Sequence, residues 1–384
     1  MKRTPFYHQW LAAGAAMQPV QGWLMPDEVA GAQAEHLAVR NAAGLFDWSS
    51  TGEIEVAGPD ALALVQKVIV NDAASLPVGR VLYTTMCRPD GAIFSDITVY
   101  RLGERRFWLM TAWGSNAADA RPEFDWLLEH AAGMQVCVTD VSPGVALLAV
   151  QGPVASAIVG QLTQADLAGL RTMDFVETRL GSAPRALISR TGYTGELGYE
   201  LCFPPEYAAD VWDALLAAGQ PHGLQPAGLK AAFSLRMEKG YIMRFDFMDG
   251  VTPFEAGLGW TVKLGKGDFI GREALARQKA AGVSRKLALV ALADETLPPN
   301  GAPIWRAGQV IGKVTSSAYG HTTLAPALRS GASAGVAAAL ALALLPADLA
   351  QVDLPVEVEV AGERHLAQVV RRPYYDPEGK RLKS

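Results

Sequence analysis

Cysteine is scarce in this sequence of 384 residues, which contains only Cys87, Cys137 and Cys202. Three widely separated cysteines supply neither a disulfide framework nor a Cys-x-x-Cys metal site. The first 19 residues include basic side chains but lack the apolar stretch of about 7–15 residues that a signal peptide needs. We therefore expect a reducing, cytoplasmic location for the chain.

The sequence also lacks an excess of basic charge and any long hydrophobic run. Its formal net charge is −5, so no basic surface is predicted for nucleic acid or anionic membrane. The longest run of small apolar residues, 331–345, is shorter than the about 20 residues that span a bilayer. We interpret this run as a buried strand or helix behind a flexible loop, and we expect neither nucleic-acid nor membrane partners.

Motifs for several common chemistries are missing as well. None of the six histidines has another histidine two or four residues away, so no metal site is predicted. Neither a P-loop nor a dinucleotide-binding glycine pattern occurs. The segment Gly331-Ala-Ser333-Ala-Gly335 matches the nucleophile-elbow pattern, but it lies in a run of small residues without the flanking strand and helix. A flexible loop is the better interpretation of that segment.

The order of apolar patterns predicts an α+β chain of three units. From about residue 52 onward, the alternating and helical periods give the order β-α-β-β-α-β of a ferredoxin-like unit. A similar order recurs after Pro153. The last hundred residues contain short alternating stretches separated by glycine-containing turns, which predict a small antiparallel barrel. We expect the units to cover 1–150, 151–282 and 283–384.

Asp96 is the first candidate site residue. It lies in the predicted strand GAIFSDITVYRL, where alternation places Phe94, Asp96, Thr98 and Tyr100 on one face. An acid that shares a face with two aromatic side chains is either a solvated strand end or a positioned carboxylate. The strand pattern alone favours the solvated strand end.

The turn RTGYTGELGYE at 190–200 is the second candidate. Its glycines allow positive φ angles and a close approach of a ligand to the backbone. Its carboxylates, including Glu200, could accept two parallel N–H donors from the edge of a heterocycle. An ordinary hairpin with solvated charges explains the pattern equally well.

Taken together, the motifs resemble the glycine cleavage system T-protein family of folate-dependent aminomethyltransferases and their relatives. The resemblance extends over nearly the whole chain. The motifs that carry it are GWLMP at 22–26, EHLAVRNAAGLFD at 35–47, NDAASLPVGRVLY at 71–83, the Asp96 strand, QGP at 151–153, the turn at 190–200, LRMEKG at 235–240, TPFEAGLGW at 252–260 and IGKVTSSAYG at 311–320.

This resemblance implies a three-domain cloverleaf around a central site for tetrahydrofolate. The aspartate matched by Asp96 is essential in the family and lies beside the N5/N10 side of folate. Glu200 matches the glutamate that binds the pterin edge, and Tyr83 matches a tyrosine of the folate cavity. We expect Tyr193 of the turn at 190–200 to contribute to folate binding as well. Because folate is an anion, we also expect the cations Arg236 and Lys230 to contribute.

Several positions depart from the pattern of the T-protein. Ser95-Asp96 replaces an Asp-Asp pair, and Ala232 replaces an arginine that contacts folate. The segments 48–52 and 110–113, which include Trp48 and Trp113, also differ. These changes resemble the folate domains of dimethylglycine and sarcosine dehydrogenases and the stand-alone demethylases. The related iron–sulfur maintenance proteins carry a reactive cysteine that is absent from 266–273.

We therefore predict an enzyme that transfers a methyl group from a small N-, S- or O-methylated metabolite to tetrahydrofolate. In this prediction N5 is the nucleophile, and Asp96 positions that nitrogen or a water that carries a proton. The alternative is an aminomethyltransferase that receives its one-carbon unit from the lipoyl carrier, the H-protein. A further alternative is a folate-binding module without catalytic activity.

Overall fold

The protein is seen in a computed structural model that describes residues 1–112, 122–322 and 338–384. The strands are β1 Lys2–Arg3, β2 Ala16–Val20, β3 Trp23–Glu28, β4 Ala43–Asp47, β5 Gly52–Ala57, β6 Val81–Cys87, β7 Ile93–Gly103, β8 Arg106–Thr111, β9 Cys137–Asp140, β10 Ala146–Gln151, β11 Phe175–Leu180, β12 Ala183–Ser189, β13 Gly198–Phe203, β14 Leu224–Pro226, β15 Arg285–Leu292, β16 Pro303–Arg306, β17 Gln309–Gly320, β18 Ala338–Pro346, β19 Pro355–Val360 and β20 Glu363–Val370. The α-helices are α1 Tyr7–Ala12, α2 Ala32–Asn41, α3 Ala61–Val68, α4 Pro122–His130, α5 Ala155–Val159, α6 Ala208–Gly219, α7 Leu229–Lys239, α8 Arg272–Ala281 and α9 Lys380–Lys383.

A five-stranded sheet with the order β6-β7-β8-β5-β9 forms the first α+β unit. Helices α3 and α4 cover one of its faces. In α3, the buried residues Leu64, Val65 and Val68 recur at helical spacing and pack against Ile97 and Val99 of β7. This apolar layer fixes which face of β7 is turned toward the helices.

A six-stranded sheet with the order β11-β12-β13-β10-β4-β14 forms the second unit. Strands β10 to β14 repeat the order of strands β5 to β9, and β4 is inserted between β10 and β14. Helices α5 and α6 stand at the same places in the chain order as α3 and α4. The predicted recurrence of a ferredoxin-like unit is therefore confirmed, with one strand more than β-α-β-β-α-β in the first sheet and two more in the second.

The range 1–150 expected for the first unit includes the strand at 43–47 and all but the last residue of the strand at 146–151, yet these strands pair with each other inside the second sheet. Short sequence windows could not reveal this, because the pairing joins segments about a hundred residues apart. We propose that the boundaries follow the sheets, so that the first unit covers about 52–140. The boundary proposed near Gly282 lies between α8 and β15.

The C-terminal strands close into an antiparallel barrel with the order β15-β18-β17-β16-β19-β20. Strand β18 is apolar throughout because both of its faces are buried. Its alanines, such as Ala341, pack with Val290 and Val358, whereas its leucines, such as Leu342, pack with Met237 of α7. The described part of the run 331–345 is thus a buried strand, one of the two structures expected for it.

The α+β class, the ferredoxin-like sheets and the C-terminal barrel are therefore confirmed. The two sheets also contact each other through side chains of β7, β8, β10, β12 and β13, namely Tyr100, Met110, Leu147, Leu187 and Cys202. Within the described ranges, no helix has both the length and the apolar character needed to cross a membrane.

Candidate functional site

Asp96 and Tyr83 lie on neighbouring strands of the first sheet. Strands β6 and β7 pair so that Tyr83 faces Thr98 and Thr85 faces Asp96. The Tyr83 hydroxyl donates a hydrogen bond to Asp96 Oδ2 over 3.0 Å. The sequence motifs that suggested these two residues independently are thus brought into direct contact.

The face assigned to Phe94 was wrong. A register shift in the pairing of β6 and β7 leaves Phe94 as an extra residue opposite the step from Met86 to Cys87. Phe94 therefore stacks on Trp126 of α4, with 4.8 Å between the ring centroids, and joins the core beneath Ile97. The strict alternation expected for this strand begins only after the bulge.

The surroundings of Asp96 make it a weaker acid than an exposed aspartate. Burial raises its pKa to about 6, while the hydrogen bond from Tyr83 acts in the opposite direction. Asp246 and Glu123 are close enough to raise the pKa further by charge repulsion. At neutral pH the group is mostly ionised, yet it can accept a proton at low energetic cost.

An aromatic side chain covers Tyr83 on the solvent side. Trp260 stacks on the Tyr83 ring with a centroid distance of 6.2 Å, and 61% of Trp260 is exposed. Trp260 is among the few large apolar residues with so much exposed surface. A planar apolar ligand could displace water from this surface.

Glu200 lies on β13 of the second sheet, and Tyr100 of β7 reaches it from the first. The Tyr100 hydroxyl is 3.4 Å from Glu200 Oε2, and the Thr191 hydroxyl donates to the same oxygen. Burial raises the pKa of Glu200, against the lowering effect of these two donors. Among the described residues none donates to Oε1, so that oxygen can accept a hydrogen bond from a ligand.

Gly195 has the positive φ expected of a glycine in this turn, at 80°, whereas Gly192 and Gly198 serve another purpose. A Cβ atom at Gly192 or Gly198 would collide with the side chain of Gln151. That side chain accepts a hydrogen bond from Thr194 over 2.9 Å and donates one to the Thr191 carbonyl over 3.1 Å. Gly192 and Gly198 therefore make room for a glutamine that orders the turn carrying Thr191.

Tyr193 lies on the Asp96 side of the same turn. Its hydroxyl donates to the Ile242 carbonyl over 2.7 Å, and its ring stacks on Tyr241 at 5.9 Å. Burial raises the pKa of Tyr193, and the nearby charges of Arg236 and Asp96 act on it in opposite directions. The phenol is thus neutral, with its hydroxyl hydrogen already committed to a carbonyl.

Arg236 and Lys230, the two expected anion-binding cations, are in different environments. Arg236 is 1% exposed, and its Nη1 lies 3.3 Å from Asp246 Oδ2. Lys230 lies in the first turn of α7 and forms ion pairs of 3.0 and 2.7 Å with Asp27 and Glu28 at the end of β3. The structure does not bring Lys230 to the site, and Arg236 already has a carboxylate partner.

A buried ionic cluster holds the C-terminal segment against the turn. Arg40 of α2 lies 3.2 Å from Glu196 and 2.9 Å from Glu238. Tyr375 stacks beneath the Arg40 guanidinium at 3.7 Å and donates to Glu196, and Arg381 lies 3.3 Å from the same carboxylate. The residues that follow the barrel therefore fix the position of the glycine-rich turn.

Some earlier expectations cannot be compared with the structure. The nucleophile-elbow match at Gly331, Ser333 and Gly335 and the substitution at Trp113 lie outside the described residues. Within the described residues, no group of three or more His, Cys, Asp or Glu side chains is arranged to hold a metal ion.

Sequence reasoning missed two residues of the site. Asp246 accepts hydrogen bonds from Thr315 and Ser316 of the barrel, each over 2.6 Å, and thereby joins the barrel to Arg236. Tyr100 connects the two sheets at Glu200. The only sequence signal for Tyr100 was its position four residues after Asp96, on the same strand face.

The chain is similar to known proteins along its whole length. The model of the GCVT N-terminal domain matches residues 6–266, and that of the glycine cleavage T-protein C-terminal barrel domain matches 285–326 and 328–376. An aminomethyltransferase of Moorella thermoacetica is 43% identical, with 98% of both chains covered. One from Bacillus subtilis is 38% identical and covers 98% of this chain and 99% of its own.

A solved structure shows the same fold. The glycine cleavage system aminomethyltransferase T from Bartonella henselae superposes with a TM-score of 0.85 at 29% identity, and 98% of each chain is covered. Both family models and the full-length relatives agree with the motifs and the architecture. The chain therefore belongs to the glycine cleavage T-protein family.

Proposed function

We propose that this protein is a folate-dependent aminomethyltransferase, which transfers a one-carbon unit to tetrahydrofolate. The demethylase reaction favoured by the sequence departures has less support, because the full-length relatives at 38 to 43% identity are named aminomethyltransferases. The partner that delivers the one-carbon unit is then a lipoyl carrier protein. Tetrahydrofolate would supply N5, a secondary amine, as the nucleophile.

The spacing of two carboxylates, Asp96 on β7 and Glu200 beside Tyr100 of the same strand, supports this proposal most directly. Asp96 and Tyr100 are four residues apart on β7, which corresponds to about 13 Å at the rise of a β-strand. Asp96 stands at one end, and Tyr100 meets Glu200 at the other. A pterin with its N–H edge on Glu200 could extend toward Asp96 with its reactive nitrogens.

The residues at each end fit tetrahydrofolate chemically. At the pterin end, Glu200 has a free Oε1 and two neutral donors on Oε2, so it can bind an N–H-rich edge. At the other end, Asp96 stabilises positive charge on an attacking nitrogen and can accept the proton that this nitrogen loses. Tyr83 fixes the orientation of that carboxylate, and Trp260 excludes water above it.

A small methylated metabolite is the second candidate donor, and the region around Ala232 favours it. Ala232 is buried in a cluster with Phe46 and Leu235, against which Trp48 packs. The rings of Phe46 and Trp48 stack at 5.3 Å with an angle of 5° between their planes. A bulky tryptophan thus stands beside the small side chain where the family pattern has an arginine.

The test supplies purified protein and tetrahydrofolate with each class of donor. Aminomethylated lipoyl carrier is compared with N-, S- and O-methylated metabolites, and methylene- and methyl-tetrahydrofolate are measured by mass spectrometry. We expect methylene-tetrahydrofolate only with the carrier, and loss of this product in Asp96→Asn. Methyl-tetrahydrofolate formed from a small donor would establish the demethylase instead. Folate binding without any turnover would indicate a binding module.

A further inference from the structure

Arg372 lies in the segment that leaves the barrel after β20, and backbone carbonyls hold its guanidinium. Nε donates to the Gly240 carbonyl over 2.8 Å. Nη1 donates to the carbonyls of Ala256 and Leu287 over 3.0 and 3.4 Å. Three separate segments thus fix one edge of the guanidinium, while the charge itself has no carboxylate partner within ion-pair distance in the described part of the chain.

Asp246, whose negative charge raises the pKa of Arg372, is already committed elsewhere. Its Oδ2 accepts from Arg236 Nη1 at 3.3 Å and from the Met243 amide at 2.9 Å. Its Oδ1 accepts from the hydroxyls of Thr315 and Ser316. Asp246 therefore neutralises Arg236 and leaves the charge of Arg372 uncompensated at short range.

The second terminal nitrogen of Arg372, Nη2, is the free part of the group. Across the described ranges it has no hydrogen-bond partner. It is also not among the fully buried side-chain nitrogens that lack a partner, so its surface is accessible. A guanidinium keeps its charge at any physiological pH, even though burial lowers the pKa of Arg372. Two N–H donors on a fixed cation are thus open to a ligand.

The contacts and charge of Arg372 place its guanidinium on the Asp96 side of the site. Its charge acts on the Tyr83 phenol, which is hydrogen-bonded to Asp96. The Gly240 carbonyl that binds its Nε belongs to the loop whose Ile242 carbonyl binds Tyr193. Arg372 and the proposed catalytic carboxylate therefore border the same region.

We propose that Arg372 binds a carboxylate of a ligand in this site through Nη2. Arginine recognises carboxylates strongly because its N–H donors are planar and charged. The inference rests on the proposed function, in which the carboxylate belongs to the glutamyl group of tetrahydrofolate. If the donor is instead a small methylated metabolite, the second candidate, the carboxylate could be the acid group of a methylated amino acid.

The test measures binding, so it does not depend on turnover. Dissociation constants are determined anaerobically for tetrahydrofolate and for its derivative with both glutamyl carboxylates converted to amides. The same comparison is made with N,N-dimethylglycine and its amide, as a probe of the donor source. The full chain is used as wild type, as Arg372→Gln and as Arg371→Gln, a control in which the exposed neighbouring arginine is changed.

We expect the wild type to bind the amide of one ligand about 10- to 100-fold more weakly than the acid, the range for a lost charge-assisted hydrogen bond. In Arg372→Gln the acid should lose this advantage and bind like the amide, whereas Arg371→Gln should keep it. The ligand that shows the effect identifies the source of the carboxylate.

The proposal is overturned if the wild type binds the acid and the amide equally well in both ligand pairs. Undetectable binding of N,N-dimethylglycine counts as no preference. This result holds even if Arg372→Gln fails to fold. A folded Arg372→Gln that keeps the wild-type preference also overturns the proposal. Tetrahydrofolate binding without turnover from any donor would instead remove the proposed function, and the ratio of acid to amide binding would still decide the role of Arg372.

Discussion

Replacement of Asp96 by asparagine should stabilise the protein at neutral pH, although it removes the proposed catalytic group. The reason is the burial that raises the pKa of Asp96 from 3.8 to about 6. Asparagine keeps the size of the side chain and can still accept a hydrogen bond from Tyr83, but it carries no charge to be desolvated. Asp96 is therefore held in the folded state at an energetic cost.

The size and sign of the effect follow from proton linkage. The unfolded chain has the ordinary aspartate pKa, so between about pH 4 and pH 6 the folded state binds more protons than the unfolded state. Stability contributed by protonated Asp96 is complete below about pH 4 and is lost as the pH rises through about 6. The difference between the two pKa values corresponds to about 3 kcal/mol above pH 7, at about 1.4 kcal/mol per pKa unit.

Urea unfolding at intervals between pH 4 and pH 8 measures this effect. We expect the stability of Asp96→Asn relative to wild type to increase by up to about 3 kcal/mol across this range, most steeply between pH 4 and 6. Asp213→Asn, a change at an exposed position of α6, should show no such increase. A stability difference between Asp96→Asn and wild type that is constant with pH would refute the electrostatic description of the site.

Three further predictions concern the residues around Asp96 and Glu200. Tyr83→Phe removes the hydrogen bond that lowers the pKa of Asp96, so the acid limb of the pH–rate profile should move to higher pH; an unmoved limb would contradict this. Glu200→Ala should weaken tetrahydrofolate binding by about 1–3 kcal/mol in calorimetry, because a polar edge loses its acceptor; an unchanged dissociation constant would reject its pterin role. Gly192→Ala should lower the unfolding free energy by about 1–3 kcal/mol, as overpacking does, and Gln151→Ala in the same chain should recover most of that loss; an additive double variant would show that the collision with Gln151 is not the cause.

Much of the architecture was open to prediction because it depends on local periodicity. The alternating and helical patterns indicated both α+β units and the barrel, since each strand or helix needs an apolar face toward its own core. Strand β18 shows where this approach reaches its limit. Its uninterrupted apolar sequence fits a strand or a helix equally well, and only the partners on both faces of the barrel wall decide between them.

Two features of the fold required long-range information. The bulge at Phe94 depends on how β7 pairs with β6, and the pattern of β7 alone shows no irregularity. The pairing of β4 with β10 joins two segments that come before and after the strands of the first sheet in the chain. Periodicity describes which face of a strand is apolar, but it does not say which strand lies beside it.

The residues proposed for the site divide in the same way. Asp96, Tyr83 and Glu200 were found through motifs, and the structure gives each of them polar partners that suit a binding site. Arg236 was chosen as a retained motif arginine and Lys230 as a cation near the missing arginine, both because folate is an anion. The sequence could not show that Asp27, Glu28 and Asp246 pair with them. A charge is available to a ligand only when the fold leaves it unpaired.

The repeated topology explains why the site needs both sheets. Asp96 and Tyr83 come from the first sheet, whereas Glu200 and Thr191 come from the second sheet and the turn before it. Tyr100 contacts Glu200 across the apolar layer that includes Leu147 and Cys202. Because that layer is closely packed, apolar side chains between the two sheets set the spacing between the two carboxylates. If tetrahydrofolate binds as proposed, the packing of one repeat against the other therefore sets the length of ligand that fits between Glu200 and Asp96.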